Sequence, residues 1–307
     1  MKKKMLAAPT ALYDRLPSWL FVILACLMVE VFFMAGNMVG GILIGILSVV
    51  LVTAEIVNGL DLMGILSSPH VQLILFAFVA AGLMLWVKFV EGRPLSSLGF
   101  FKMKRGLLKE IGMGWLVGTG LFSAAMLLSF AFGGLTFTGV DVSAASLGFV
   151  LSLVPLWFIQ GGTEELLTRG WLLPLIYRRT NLAVAIGVSS SVFGFMHLGN
   201  SHVTLLSLVG LILSGIMMAL YMLKTDNIWG VAALHAAWNF TQGNLYGIAV
   251  SGGETGKSIL HFAVNTSSPE WISGGGFGTE GSLFSCLVEL LAILYLWRAL
   301  KKEKSSL

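Results

Sequence analysis

The chain has 307 residues, of which 56% are hydrophobic and 11% are charged, with a formal net charge of +4. Soluble domains carry about 25% charged residues, so this composition excludes an ordinary soluble protein and predicts a multi-pass protein of the cell membrane. The basic residues lie mainly near the termini and in one loop, as expected of topology determinants, and they do not predict a nucleic-acid partner. The predicted fold class is all-α, a polytopic transmembrane bundle of about eight to ten membrane helices.

Apolar runs long enough to cross a bilayer, about 17 to 25 residues, recur along the whole chain. The predicted crossings are 19–36, 39–57, 71–89, 110–133, 144–160, 181–198, 203–223, 228–248 and 282–299. A further helix is predicted at 162–178, kinked or interrupted by Pro174. Gly161 and Gly162 predict a break in the chain before it, and Thr163 would be its N-cap.

Four glycines in the first two crossings have small-xxx-small spacing, which predicts close helix packing: Gly36, Gly40, Gly41 and Gly45. At the end of the third crossing, Lys88 and Glu91 are expected to extend to the membrane interface.

The basic loop 88–109 divides the chain into an N-terminal region, 1–109, and a predicted catalytic helical core, 110–307. This loop and the basic C-terminus should face the cytoplasm, and the glycine- and serine-rich stretch 251–281 the opposite side. Three crossings before the loop, however, would place the basic N-terminus opposite the loop. Either 19–57 is not two crossings, or the positive-inside rule fails at one end.

Three ionisable residues lie close together near the middle of the chain, where each is expensive in a membrane. Glu165 and Arg169 have i, i+4 spacing with the acid first, the favoured order for an intrahelical ion pair. Glu164 points about 100° away around the helix and is left without that partner. We therefore expect Glu165 to stabilise the helix and Glu164 to be available as a general base.

Two later apolar segments each carry a pair of residues on one helix face: Phe193 with His197, and His235 with Asn239. Each pair alone is typical of a structural contact, but the three elements together suit amide hydrolysis. Glu164 would take a proton from water, and a histidine with Asn239 would donate hydrogen bonds to the developing oxyanion. Glu164, His197 and His235 also form a plausible zinc set, although the HExxH spacing is absent.

The ordered set resembles the CPBP family, which contains the type II, Rce1-like CAAX prenyl endopeptidases and bacterial relatives such as bacteriocin-processing and self-immunity proteins. The motifs lie between about 140 and 250. The resemblance implies that Glu164 activates water and that Glu165 and Arg169 support it. It further implies that Phe193 and His197 form the second motif of the family. His235 and Asn239 form the third motif, which stabilises the oxyanion.

The resemblance implies an intramembrane endopeptidase that cleaves a membrane-associated peptide or protein in the lipid bilayer, with a prenylated CAAX substrate as one case. No cofactor is expected to be obligatory, and zinc stays open. The alternative is a non-catalytic polytopic membrane protein (a transporter, a scaffold or a bacteriocin self-immunity factor) that keeps the same buried polar network.

Overall fold

A computed structural model gives the architecture of the chain and describes residues 3–7, 12, 14–53, 62–101 and 106–305. Within these residues the chain is largely helical, and the only sheet has two strands. The helices are α1 (Ser18–Thr53), α2 (Leu62–Ser67), α3 (Pro69–Leu85), α4 (Leu107–Ala131), α5 (Ala144–Glu165), α6 (Leu173–Arg179), α7 (Leu182–Phe195), α8 (Leu205–Thr225), α9 (Trp229–Phe240), α10 (Glu270–Ser273) and α11 (Leu283–Ser305). The predicted all-α polytopic bundle is confirmed.

Six of the described helices are long and apolar enough to cross a membrane, so the chain is a multi-pass membrane protein. These candidate spans are Ser18–Leu51, Pro69–Val90, Leu107–Ala131, Ala144–Arg179, Leu205–Thr225 and Leu283–Glu303. Helix α7 is apolar but shorter. Three π-helical segments extend α3, join α5 to α6 and extend α9: Trp86–Val90, Leu166–Leu172 and Thr241–Leu245.

The first apolar stretch forms one helix of 36 residues, α1, and not the hairpin predicted from 19–36 and 39–57. No proline interrupts this stretch, and its glycines are tolerated within a helix that packs along α3. A Cβ on Gly36 would lie 2.5 Å from the backbone of Val79, and one on Gly40 would lie 2.6 Å from a phenylalanine ring of α3. The predicted close packing is therefore confirmed for these two glycines.

Gly41 and Gly45 face open space instead. A Cβ placed on either would have no neighbouring atom within 4 Å among the described residues, so the packing prediction is wrong for them.

The single α1 helix resolves the orientation conflict, because two long helices now separate the N-terminus from the basic loop. The backbone amide of Met5 donates to Asp226 at 3.0 Å, and Lys3 pairs with Glu303 at 3.3 Å. Gly99, in the loop after α3, accepts a hydrogen bond from the amide of Ile228. The N-terminus, this loop and the C-terminal end of α11 thus share one end of the bundle, as the positive-inside rule requires.

Residues 144–179 form one continuous helical rod, and the predicted break at Gly161 and Gly162 is wrong. Thr163 lies inside α5 rather than at an N-cap, and its hydroxyl lies within hydrogen-bonding distance of the carbonyl oxygens of Ile159 and Phe76. The irregularity lies further along, in the π-helical segment Leu166–Leu172, which ends two residues before Pro174.

This long rod brings Glu164 and His197 to one depth. Glu164 lies fifteen residues before Arg179, and His197 lies fifteen residues after Leu182. The two helices run in opposite directions from the turn between them, and at 1.5 Å per residue both positions lie about 22 Å from it.

Helix α9 is a short, buried helix at the centre of the bundle and not the full crossing predicted at 228–248. It packs against α4, α5 and α8. Gly114 and Gly118 of α4 are required here, because a Cβ on either would overlap a carbonyl oxygen of α9. Since α9 is surrounded by protein, its polar side chains find protein partners rather than lipid.

An antiparallel ribbon was not predicted. Strands β1 (Leu135–Val140) and β2 (Leu260–Val264) pair with Leu135 opposite Val264, and a register shift falls between Phe137 and Gly139. The ribbon lies at the end of the bundle away from the basic loop. Part of the stretch 251–281 is therefore ordered as a strand, which hydropathy alone does not indicate.

Glu91 does not extend to the interface as predicted. Its carboxylate pairs with Arg93 at 2.5 Å and accepts a hydrogen bond from the indole N–H of Trp171 at 2.8 Å. Both side chains of the ion pair are fully buried. Lys88, in contrast, is exposed.

Candidate active site

A cavity of about 450 Å³ lies inside the bundle, between α3, α5, α7, α8, α9 and α11. Its size is that of a typical ligand pocket, about 300 to 1,000 Å³. All four residues predicted as catalytic line this cavity: Glu164, His197, His235 and Asn239. The structure thus brings together residues that are up to 75 positions apart in the sequence.

Glu165 and Arg169 form the i, i+4 ion pair that their spacing predicts, with 3.2 Å between Oε1 and Nη1 and no exposure of either side chain. The guanidinium of Arg169 also donates to the hydroxyl of Thr168 and to the carbonyl oxygen of Gly215. A buried charge is tolerable only when it is paired and hydrogen-bonded. These contacts therefore fix the position of Glu165 from two helices at once.

His235 lies between the two adjacent glutamates. Its Nδ1 is 3.0 Å from Oε1 of Glu165, and its Nε2 is 3.5 Å from Oε2 of Glu164. Arg169 pairs with Glu165 and not with Glu164, as the spacing predicts, and α9 places His235 beside Glu164 instead. The approach is possible because a glycine, Gly161, faces α9: a Cβ there would lie 2.9 Å from the amide nitrogen of Ala236.

The ring of Phe193 contacts three charged or titratable side chains of the site. Its centroid lies 5.0 Å from that of His197 and 5.7 Å from that of His235, both edge-on. The guanidinium of Arg169 lies over the same ring at 4.6 Å, a cation–π geometry. Phe193 and His197 share a helix face as predicted, and the ring orders the site from the α7 side.

His197 follows the last turn of α7, and its Nδ1 lies 2.8 Å from the carbonyl oxygen of Phe193. Because a carbonyl only accepts, Nδ1 carries the proton, which leaves Nε2 as the second ring nitrogen for a cavity ligand. The same reasoning applies to His235, whose Nδ1 faces an acceptor carboxylate.

Asn239 donates from Nδ2 to Oε1 of Gln160 at 2.9 Å, and both side chains line the cavity. Gln160 was not identified from the sequence, although it lies four residues before Glu164 and therefore on the same face of α5. Its amide fixes the orientation of Asn239 and leaves the second Nδ2 hydrogen for another acceptor.

Residues 146–241 match the family model described as type II CAAX prenyl endopeptidase Rce1-like. This stretch of the chain is similar to that family. The match includes every residue of the three predicted motifs, and the family is one of proteases, which confirms the resemblance inferred from them. No curated protein and no solved structure matches the chain.

The Rce1-like match lies within the predicted core 110–307, whereas the division of the chain at 109 stays a prediction.

Two further acids line the same cavity, and sequence reasoning missed both: Glu280 and Glu289. Glu289 lies in α11, and an ionisable residue inside an apolar run was a signal for it. Glu280 lies in a 3₁₀ turn of the stretch 251–281 and had no comparable signal. Its carboxylate accepts hydrogen bonds from the amide and the hydroxyl of Ser251.

The predicted zinc set does not form a metal site in this geometry. Among the described residues, no three side chains of histidine, cysteine, aspartate or glutamate are grouped so that they could hold a metal ion. In the predicted set of Glu164, His197 and His235, Nδ1 of each histidine contacts a protein acceptor, which leaves Nε2 as the nitrogen that a ligand could reach. No step of the proposed reaction depends on a metal.

Proposed function

We propose that the chain is an intramembrane endopeptidase that hydrolyses a peptide bond of a membrane-associated peptide or protein. One observation carries this proposal. Oε2 of Glu164 is buried, has no hydrogen-bond partner and lies 3.5 Å from Nε2 of His235. The other ring nitrogen of His235 contacts Glu165, which is paired with Arg169. A buried carboxylate oxygen without a partner is costly, and a water or a substrate in the adjoining cavity would satisfy it.

Glu164 is the proposed general base. It takes a proton from a water molecule, and the resulting hydroxide attacks the carbonyl carbon of the peptide bond. General-base catalysis of this kind contributes about 10²- to 10⁴-fold. Glu165 and Arg169 do not contact the reacting atoms in this scheme. They position His235, whose Nε2 faces Glu164. Glu164 passes the proton to this nitrogen, and Nε2 gives it to the leaving amine nitrogen as the tetrahedral intermediate collapses and the C–N bond breaks.

Asn239 is the proposed donor to the oxyanion. One hydrogen of Nδ2 is used by Gln160, and the other is available to the carbonyl oxygen as it becomes negative. Neutral His197 cannot donate to the oxyanion from Nε2, because its proton lies on Nδ1, which donates to the carbonyl oxygen of Phe193. When protonated it becomes a second donor to the oxyanion.

The proposed substrates follow the description of the family. They are membrane-associated peptides or proteins, with a prenylated CAAX peptide as the first to be tested. The basic end of the bundle would lie on the cytoplasmic side of the cell membrane. We propose no obligatory metal. Elemental analysis of active protein checks this, and stoichiometric zinc whose chelation abolishes turnover would contradict it.

The decisive experiment compares wild type with Glu164→Gln, purified and reconstituted in lipid, on a prenylated CAAX peptide and a panel of membrane peptides. We expect wild type to cleave at least one peptide and Glu164→Gln to lose about 10²-fold or more of kcat.

The matched control is Glu254→Gln, which removes an exposed acid beside the cavity loop and should keep full activity. Equal cleavage by wild type and Glu164→Gln would overturn the assignment. The absence of any cleavage by wild type would favour a non-catalytic membrane protein.

A further inference from the structure

Two acids outside the predicted motifs line the cavity. Glu289, from α11, and Glu280, from the turn before that helix, line the same cavity as Glu164. Their exposures are 1% and 9%, so both carboxylates are withdrawn from bulk solvent. Neither has a role in the proposed hydrolysis.

Glu289 has an unsatisfied oxygen. The hydroxyl of Ser214 contacts its carboxylate, but Oε2 is buried and has no hydrogen-bond partner. No lysine or arginine pairs with Glu289 in the part of the chain that the structure describes, since each salt bridge there involves another acid. Burying a carboxylate without a counter-charge costs free energy in the unliganded protein. It is satisfied if a ligand brings a complementary donor.

Glu280 is already directed by the protein. Two donors of Ser251 hold one of its oxygens, with 3.0 Å from the hydroxyl. Burial raises the pKa of the Glu280 carboxyl above its usual range, and these hydrogen bonds oppose the rise. Positive charge on His197 or His235 would oppose it too, which places Glu280 within electrostatic reach of the motif histidines.

We propose that Glu280 and Glu289 form an acidic subsite that receives a positively charged side chain, lysine or arginine, of the peptide bound for cleavage. The inference rests on the proposed function for the identity of the ligand as a peptide. It adds a specificity that the three motifs do not contain, because both acids lie outside them and outside the matched residues 146–241.

An organic cation fits this pair better than a metal ion does. The described residues offer no group of three acid, histidine or cysteine side chains for a metal. Two carboxylates, one with a free oxygen and one held by a serine, match the donors of an ammonium or guanidinium group. The cavity continues from these acids to Glu164, so a basic side chain seated there belongs to a peptide that also reaches the general base.

The test measures binding rather than cleavage, so that it does not depend on turnover. Membrane peptides with no other charged side chain are prepared in pairs. One peptide of a pair carries lysine and the other norleucine at the same position, and this position is moved along the peptide from pair to pair. Affinities are measured by fluorescence anisotropy with lipid-reconstituted Glu164→Gln protein, in which cleavage is suppressed. We expect one position at which lysine binds about tenfold more tightly than norleucine, equivalent to about 1.4 kcal/mol.

Adding Glu289→Gln to this protein should reduce the lysine preference to about twofold, and adding Glu280→Gln should reduce it as well. Adding Glu254→Gln, the exposed acid nearby, should leave it unchanged. Unchanged affinity for the norleucine peptide shows that each variant is folded with an intact cavity. Since the two acids are tested separately, a variant that fails to fold leaves the other to decide.

Two results would overturn the subsite: no position with a lysine preference, or a preference that persists in both variants. Neither depends on whether wild type cleaves. A lysine preference without cleavage supports the subsite while refuting the proposed protease, and cleavage of peptides without a lysine preference does the reverse.

Discussion

Two buried pairs of glutamate and arginine differ in what surrounds them. Glu91 and Arg93 lie after α3, with both side chains fully buried and an indole N–H donated to the acid. Glu165 and Arg169 lie in the long central helix and are buried to the same extent. The second pair continues, through His235, to a glutamate that lines a cavity.

This difference shows that burial of a charge pair does not by itself indicate an active site. Both pairs carry a similar desolvation penalty, and each has an aromatic residue against it: Trp171 for one and Phe193 for the other. What distinguishes the catalytic candidate is that its ion pair contacts His235, which in turn contacts Glu164. There a carboxylate oxygen is left for a ligand, and the cavity admits one.

The largest expected effects come from removing the arginine of each pair. Arg93→Ala and Arg169→Ala should each destabilise the protein by about 3–5 kcal/mol, because each leaves a buried carboxylate without its counter-charge. Reversible unfolding in mixed micelles measures this loss.

The two variants should differ in activity. Per folded molecule, Arg93→Ala should keep its kcat, whereas Arg169→Ala should lose about 10²-fold because His235 is no longer positioned. Equal losses of kcat would show that both pairs support catalysis and would remove the distinction.

A second contrast uses two buried asparagines. Asn239 lines the cavity, whereas Asn244 accepts from Trp157 at 2.6 Å and donates to the carbonyl oxygens of Thr255 and Lys257, so its amide is used entirely in structure. Asn239→Ala should lower kcat by about 10²- to 10³-fold, the usual effect of removing one oxyanion donor.

Asn244→Ala should instead reduce stability by about 1–3 kcal/mol, because it leaves buried partners unsatisfied, with kcat retained. Single-turnover rates and unfolding curves of both variants check this. A fall in kcat for Asn244→Ala as large as that for Asn239→Ala would contradict the assignment of the oxyanion donor.

Local geometry explains which parts of the site were predictable. The i, i+4 spacing of Glu165 and Arg169 is a property of one helix, so the ion pair followed from the sequence. His235 reaches Glu165 from seventy residues away, and no local pattern contains that contact. Glu289 was detectable as an acid in an apolar run, but nothing in the sequence places it in the same cavity as Glu164.

The fold was predictable in class but not in the path of its longest helices. Hydropathy does not distinguish a 36-residue helix from a hairpin of two short ones, so α1 was divided wrongly. The glycines at 161 and 162 indicated a break, since glycine weakens helices. In the structure the first of them instead allows α9 to approach, a packing reason that exists only once both helices are in place.

The smallest expected effects come from these adjacent glycines, which differ in what faces them. A Cβ at Gly161 would lie 2.9 Å from a backbone nitrogen of α9 and 3.1 Å from the ring of His235, whereas one at Gly162 would lie 3.6 Å from its nearest neighbour, Ala232. Gly161→Ala should therefore push α9 away, cost about 1–3 kcal/mol and reduce kcat by displacing His235.

Gly162→Ala makes the same chemical change without the clash. It should stabilise the helix by about 0.5–1 kcal/mol, as alanine does relative to glycine, and keep kcat. Paired unfolding and activity measurements on the two variants test this. If Gly161→Ala retained full activity, the close contact between α5 and α9 would not be what positions His235, and the link from the buried ion pair to Glu164 would lose its geometric basis.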